Sequence, residues 1–181
     1  MIAGQLSILA AAMTATHRLG DAAFSGMTTD SRNIVPGQLF IAIRGENFDG
    51  HQFLQQAIDL GAAAVVTEVL PAGFDAPALV VPDTRLALAE ISRWWRRHFQ
   101  IPVIGVTGSN GKTTVKEMIA TVLAHHFGEQ HRLATAGNLN NEIGVPLTIA
   151  RLSAAHQAAV IEMGMNHPGE IALISKAAAA T

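Results

Sequence analysis

The chain of 181 residues contains no cysteine, which excludes a disulfide frame, a thiolate nucleophile and any zinc site built on thiolates. No apolar run reaches the roughly 18 residues of a bilayer-spanning helix. An excess of positive charge is missing as well. Twelve Lys plus Arg stand against fourteen Asp plus Glu, a net charge of -2, so there is no electrostatic footprint for nucleic acid or an anionic membrane. The apolar opening "MIAGQLSILAAAMTATHRLGD" lacks the basic start of a secretory leader. Its Leu6, Leu9, Ala10 and Met13 recur at helical spacing, so a short amphipathic helix of the mature protein is expected there. There is no internal repeat, and no low-complexity tract before the closing "KAAAAT". These absences together predict a soluble protein with no nucleic-acid or membrane partner, cytoplasmic by default; a monomer is the expectation, although nothing in the sequence fixes the oligomeric state.

What is present is a chain 49% hydrophobic and 14% charged, apolar enough to bury a sizeable core. Short β-type runs alternate with longer helical ones. "QLFIAI" (Gln38–Ile43), "AAAVVT" (Ala62–Thr67) and "ALVVP" (Ala78–Pro82) read as strands bounded by Pro36-Gly37, Gly61 and Pro82-Asp83. Asp49 is a plausible cap for a helix that brings Phe53, Leu54, Ala57, Ile58 and Leu60 near one face and closes at Gly61. A second helix opens at Asp83-Thr84 and runs to Phe99, basic in its last turns, where the helix dipole favours cations. Pro102 disfavours helix at Ile101, which puts a boundary near residue 100. Beyond it come a strand "VIGVT", a helix from Thr113 to about Phe127, a polar loop "TAGNLNNEIGVP", a strand "AAVIEMGM" (Ala158–Met165) and a helical stretch after Pro168. The alternation predicts an α/β chain: a small α/β domain over residues 1–100, then the start of a parallel-sheet domain over 101–181. Only two clear strands are legible in that second part, and its last helical pattern, Gly169 to Ala180, shows no cap. Parallel sheets seldom stop at two strands, so the second domain is expected to be incomplete.

The stretch "VIGVTGSNGKTTVKEM" (Val103–Met118) is a strand, a glycine loop and a helix, the setting that a phosphate-binding loop requires. Backbone N–H groups turned inward by glycines cradle phosphate oxygens, and the helix N-terminus adds its positive dipole end. Lys112, one of only three lysines in the chain, would reach the β- and γ-phosphates. Thr113 would offer its hydroxyl to Mg²⁺. The usual spacing asks for glycine at 106, where Val106 stands, so the surviving pattern is G-x-x-G-K-T-T from Gly108. The plain alternative is a Gly/Asn turn with Lys112 solvated in the first helical turn. A nucleotide site also needs a carboxylate for the metal. Glu162, late in the second strand, is the candidate, since strand ends of a parallel sheet face such a loop. Its alternative is a sheet-end residue that merely faces water.

Three stretches carry a resemblance. "TDSRNIVPGQLFIAIRGENFDGHQFLQQAIDLGAAAVV" resembles the amino-terminal domain of the later Mur ligases, which build the peptidoglycan peptide. "GVTGSNGKTT" resembles their variant nucleotide loop, which accounts for the missing glycine. "NLNNEIGVP" with "IEMGMNHPGEI" is similar to the member that adds a dipeptide. The resemblance covers essentially the whole chain. It implies a P-loop ATPase domain behind a substrate domain, with ATP and Mg²⁺ as cofactors. The implied reaction joins D-Ala-D-Ala to UDP-N-acetylmuramoyl-tripeptide through an acyl phosphate and forms ADP. Phosphorylation of the peptide carboxylate makes its oxygen a leaving group for the incoming amine, a step in which positioning and charge neutralisation dominate.

Carried over by position, the resemblance gives Gly108, Ser109, Asn110, Gly111, Lys112, Thr113 and Thr114 to the nucleotide, Thr113 and Glu162 to the metal, and a catalytic role to Lys112 and Glu162. Asn138 falls where the family contacts substrate or phosphates, unless it only forms the turn. Asn166 and His167 match the motif, although a His before Pro168 is often just a helix cap. Ser31 and Arg32 match the uridine-nucleotide contacts, and Asn47 in "RGENFDGH" is nearest the diphosphate. The alternatives there are an ordinary polar turn for Asp30-Ser31-Arg32 and a water-facing first-turn residue for His51. The family's downstream metal-binding His and carbamylated lysine have no counterpart, Lys176 being too early, so the chain alone is expected to show little or no ligase activity. Two readings compete. One is the preceding ligase, which adds the third-position diamino acid and against which "EMGMNHPGEI" argues. The other is a non-catalytic module that binds UDP-peptide or nucleotide. A folate polyglutamate-type ligase shares the loop but not the "TDSR" domain.

Overall fold

A computed structural model describes residues 1–45 and 48–181. The chain divides into two compact units, Met1–Leu88 and Ala89–Thr181. The first holds β1 (Ala3–Gln5), α1 (Leu6–Ala12), β2 (His17–Leu19), β3 (Ala23–Ser25), β4 (Met27–Thr28), β5 (Leu39–Ile41), α2 (Leu54–Asp59), β6 (Ala64–Thr67) and β7 (Ala78–Val80). Helix α3 (Thr84–Arg96) runs across the division. Strands β2-β7-β6-β5-β4 form one sheet, parallel except for β2, and β1 pairs antiparallel with β3 in a separate ribbon.

The three strands legible in the sequence are the buried middle of that sheet. Every residue of β5 and β6 is buried, which is why they read as continuous apolar runs rather than alternating ones. Phe40, Leu54, Ala57, Val65 and Ala78 form the core, with Ile34, Ile58 and Phe74 packed on it. Fully burying side chains such as Phe40 or Leu54 contributes about 1.5–3 kcal/mol each.

The opening segment differs from expectation. It is not one amphipathic helix: Ala3–Gln5 is a strand against Ala23–Ser25, and only Leu6–Ala12 is helical, with Leu6 and Leu9 buried. Gly26 lets the chain turn so that its N–H meets the Ile2 carbonyl at 2.6 Å (φ +88°). That contact comes from 24 residues away and no local pattern announces it. The helix caps are as expected. Asp49 Oδ1 accepts the His51 N–H at 3.0 Å and opens a 3₁₀ turn, Gly50–Phe53, that leads into α2. Asp83 Oδ1 accepts the N–H groups of Arg85 and Leu86 at 2.8 and 2.9 Å, satisfying donors that a helix start leaves open. Helix α3 ends at Arg96, three residues short of Phe99. The Arg96 guanidinium donates to the carbonyls of Phe99 and Ile101.

The second unit continues with β8 (Val103–Val106), α4 (Lys112–Phe127), β9 (Arg132–Ala134), α5 (Gly144–Ile149), β10 (Ala158–Glu162) and α6 (Glu170–Ala178). Its sheet is wholly parallel, in the order β8-β10-β9. Side chains alternate faces along a strand, and two clusters follow from that. Val103, Ala159, Ile161 and Met163 point toward Val145, Ile149 and Ile174 of α5 and α6. Val106 and Val160 point toward Ala120, Ile119 and Leu123 of α4. Both sheet faces are therefore covered by helices.

Three features of this unit differ from the sequence reading. A third strand, β9, exists, because Arg132, Leu133 and Ala134 register against Ala158, Ala159 and Val160; three residues are too few to show a period by themselves. The polar loop contains a helix, α5, which tolerates Pro146 because proline in a first turn loses no intrahelical bond. Strand β10 stops at Glu162 rather than Met165, because the Gly164 N–H leaves the ladder for the Asn140 carbonyl at 2.7 Å. Helix α6 closes at Ala179, in the left-handed region, its N–H on the Ser175 carbonyl at 2.9 Å. Among the described residues, no helix is long and apolar enough to cross a membrane.

Candidate nucleotide and substrate sites

In the second unit, β8 runs into the loop Thr107–Gly111 and α4 begins at Lys112, with Gly111 at its start in the left-handed region (φ +76°). Gly108 has φ +146°, a conformation that side-chain-bearing residues rarely adopt. The loop is exposed. The backbone N–H groups of Ser109, Asn110 and Gly111 make no hydrogen bond among the described residues. Lys112 folds back over the loop and donates from Nζ to the Gly108 carbonyl at 2.7 Å. Thr113 and Thr114 are exposed in the first turn of α4. A cleft of about 430 Å³ is lined by Thr107, Gly108, Ser109, Lys112, Met165 and Ile171. A roomier hollow of about 550 Å³, between Arg96–Pro102 and Ala179–Thr181, lies away from this chemistry; Arg96 Nη1 and Nη2 there donate to backbone carbonyls.

Glu162 closes β10 in register with Val106, the last residue of β8, so both reach the same carboxyl edge of the sheet. Its exposure is only 2%, so it does not face water. Oε1 accepts the Asn140 side-chain amide at 2.8 Å, and its backbone N–H donates to Thr135 Oγ1 at 2.9 Å. Oε2 is buried with no hydrogen-bond partner among the described residues. A buried carboxylate oxygen without a donor is costly, and a divalent cation would satisfy it. Glu162 and the Thr113 hydroxyl fit the donor chemistry of Mg²⁺, a hard cation that prefers oxygen.

Asn138 is exposed in the turn before α5, and the side chain that meets Glu162 from this loop is that of Asn140. The sequence reading missed Asn140, Thr135 and Glu170. The doublet Asn140-Asn141 was the available signal, but nothing local tells which Asn of "GNLNN" points inward. Glu170 Oε2 accepts the backbone N–H groups of Asn166 and His167 at 2.7 and 3.2 Å, and these bonds hold its carboxyl below its ordinary range. The side chains of Asn166 and His167 stay exposed in that turn.

In the first unit Ser31 is buried and Arg32 exposed. Arg32 forks onto Asp30, Nε to Oδ1 at 2.8 Å and Nη2 to Oδ2 at 2.9 Å, and this pairing holds Asp30 well below the usual carboxylate range. Asn47 lies outside the described residues. His51 does not face water: its side chain is 10% exposed, Nδ1 sits 2.6 Å from Asp49 Oδ1, and Nε2 accepts the Glu68 N–H at 3.3 Å. Arg44 Nε reaches Asp49 Oδ2 at 3.0 Å. Burial alone would raise the Asp49 carboxyl, but the His51 N–H, the His51 ring and Arg44 outweigh it and hold it at about 2. A carboxyl depressed in the folded state contributes stability that is present above its ordinary value of 3.8 and lost as pH falls through about 2. Urea unfolding between pH 4 and 2 is therefore expected to show a smaller loss of stability for Asp49→Asn than for the unaltered chain. Equal slopes would contradict that account.

Comparison with known proteins identifies relatives of this chain. The family model "Mur ligase family, catalytic domain" matches residues 23–96, and "Mur ligase middle domain" matches residues 106–181. A UDP-N-acetylmuramoyl-tripeptide–D-alanyl-D-alanine ligase from Synechocystis is 47% identical over 93% of this chain and 37% of its own length. The crystal structure of MurF from Acinetobacter baumannii superposes with a TM-score of 0.80 at 41% identity, over 87% of this chain and 34% of that one. MurF ligase from Thermotoga maritima, solved in complex with ADP, superposes with a TM-score of 0.75 at 35% identity, over 84% of this chain and 35% of that one. The chain thus spans a little over a third of the length of the curated relatives it matches. Two family models along one chain and a shared fold at high identity lead to one conclusion: the chain belongs to the Mur ligase family.

Proposed function

We propose that this chain supplies the UDP-substrate-binding part, over residues 1–100, and the opening of the ATP-binding part, over 101–181, of a ligase that joins D-Ala-D-Ala to UDP-N-acetylmuramoyl-tripeptide in the cytoplasm. The observation that carries the reading is the pairing of the Lys112 loop with the half-satisfied carboxylate of Glu162 on neighbouring strand ends. Relatives that bear this ligase name, and one relative solved with ADP, support it.

Bound ATP would supply the phosphoryl group that turns the peptide carboxylate oxygen into a leaving group. The chain's own residues bind, neutralise and orient. The loop N–H groups of Ser109, Asn110 and Gly111 would donate to phosphate oxygens, helped by the positive end of the 16-residue α4. Lys112 adds a full positive charge where negative charge accumulates. Thr113 and Glu162 would hold Mg²⁺, which offsets phosphate charge. In the first unit, Ser31 and Arg32, with Asn47, would contact the UDP moiety. Arg32 enters that role already oriented by Asp30, so little side-chain freedom remains to be lost on binding.

Thermal-shift titrations of this chain with Mg-ADP and, separately, with UDP-N-acetylmuramoyl-tripeptide test the reading. A ligand that binds only the folded state stabilises it by about 2.7 kcal/mol at a hundredfold excess over Kd, so each is expected to raise the unfolding temperature. Silence with both would remove the proposal. A shift with the UDP-peptide alone would confine the chain's role to substrate binding.

A further inference from the structure

Glu162 is buried, yet among the described residues only one of its oxygens is engaged. A carboxylate kept merely for structure is satisfied at both oxygens, because an unpaired buried acceptor is expensive. The engaged oxygen is held by a side chain that is itself tightly located. The Asn140 N–H donates to the Asn138 carbonyl at 2.8 Å, and the Asn140 carbonyl accepts the Gly164 N–H at 2.7 Å. A Cβ on Gly164 would stand 3.2–3.3 Å from the Asn140 side-chain amide, so the absence of a side chain there leaves room for that amide. Asn141 Oδ1 accepts the Ile143 and Gly144 N–H groups at 3.2 and 2.8 Å, tying the same turn to the start of α5. An ionised carboxylate only accepts, so it is the Nδ2 end of Asn140 that faces Glu162.

A carboxylate group turns easily about its last torsion; the hydrogen bond on Oε1 restricts that turning, while Oε2 has no donor among the described residues. We propose that Asn140 is a positioning residue: its amide holds one oxygen of Glu162 so that the other is presented to the divalent cation accompanying the nucleotide. The proposal rests on the reading of Glu162 as the metal carboxylate. Groups that orient a metal ligand in this way, when removed, typically cost about 10–100-fold in metal affinity.

The test measures ADP binding to the whole chain by calorimetry across a Mg²⁺ series. The factor by which Mg²⁺ strengthens ADP binding is compared for the unaltered chain, Asn140→Ala, Glu162→Gln and the double variant. Asn140→Ala is expected to raise the Mg²⁺ concentration for half effect about tenfold, with metal-free ADP affinity moving less than twofold. The double variant is expected to match Glu162→Gln alone, since Asn140 acts only through that carboxylate. Additive losses in the double variant, or an equal loss of metal-free binding in Asn140→Ala, would overturn the positioning role. An unchanged Mg²⁺ effect in Glu162→Gln would instead sink the reading of Glu162, and the proposal with it. Asn140→Ser, too short to reach Glu162, gives the same comparison if alanine impairs folding.

Discussion

Replacing Lys112 with alanine is expected to weaken ADP binding about thirtyfold, corresponding to roughly 2 kcal/mol for a charge-assisted hydrogen bond. The stability of the ligand-free chain should change by no more than about 1 kcal/mol, because the only bond the side chain makes among the described residues is to the Gly108 carbonyl. The asymmetry follows from location. Lys112 is half-buried at the first position of α4, and its amine reaches back over an exposed loop whose Ser109, Asn110 and Gly111 N–H groups have no partner among the described residues. Lys112→Arg is not expected to restore binding, because a planar fork cannot replace a compact ammonium in a loop of this size. Calorimetric titration with ADP and a urea melt of each variant decide the matter. Unchanged ADP affinity in Lys112→Ala would return the loop to an ordinary strand-to-helix turn.

Gly144→Ala should be the most damaging of the glycine substitutions near the site, with a stability loss of about 3 kcal/mol, the upper part of the range for forcing atoms into a packed core. An added Cβ would lie 2.5 Å from Leu139 C and Cα and 2.8 Å from its O. Those are backbone atoms, so no rotamer change relieves the contact, and either α5 or the 138–141 turn must move. Gly137→Ala is the control. Nothing lies within 4 Å of a Cβ there, and the cost is that of a left-handed residue, φ +54°, about 1 kcal/mol. Urea midpoints of the two variants separate crowding from backbone conformation. Equal midpoints would mean that the turn yields freely. Because Leu139 precedes Asn140, Gly144→Ala should also lower the Mg²⁺ enhancement of ADP binding, which Gly137→Ala should leave nearly intact.

Much of the site's chemistry was legible because it is local. A strand, a glycine loop and a lysine at the head of a helix occupy consecutive positions, so Lys112 and its loop could be read from Val103–Met118 alone. The buried strands β5, β6 and β7 could be read as well, because sheets covered on both faces write themselves as apolar runs. The caps at Asp49 and Asp83 follow the same logic, each bonding N–H groups two or three residues on.

The rest depends on partners far away in the chain. Glu162 was a candidate from its place after an apolar run, but its burial and its unpaired oxygen come from Asn140 and Thr135, 22 and 27 residues earlier. The plain alternative for His51 was a water-facing first-turn residue; the structure does not support it, since His51 Nε2 accepts the Glu68 N–H, 17 residues on. Strand β9 has three residues and no period, and only β10 makes it a strand. The amino-acid sequence by itself determined the α/β alternation and the strand–glycine loop–helix order ahead of Lys112, since each is carried by short-range spacing of residue types, and the resemblance of three stretches pointed to the family. Only the tertiary structure decided that Asn140 meets Glu162, and that one carboxylate oxygen has no donor among the described residues. Hydrogen bonds between distant segments are set by which strands pair and which helices cover them, and no local window contains that information.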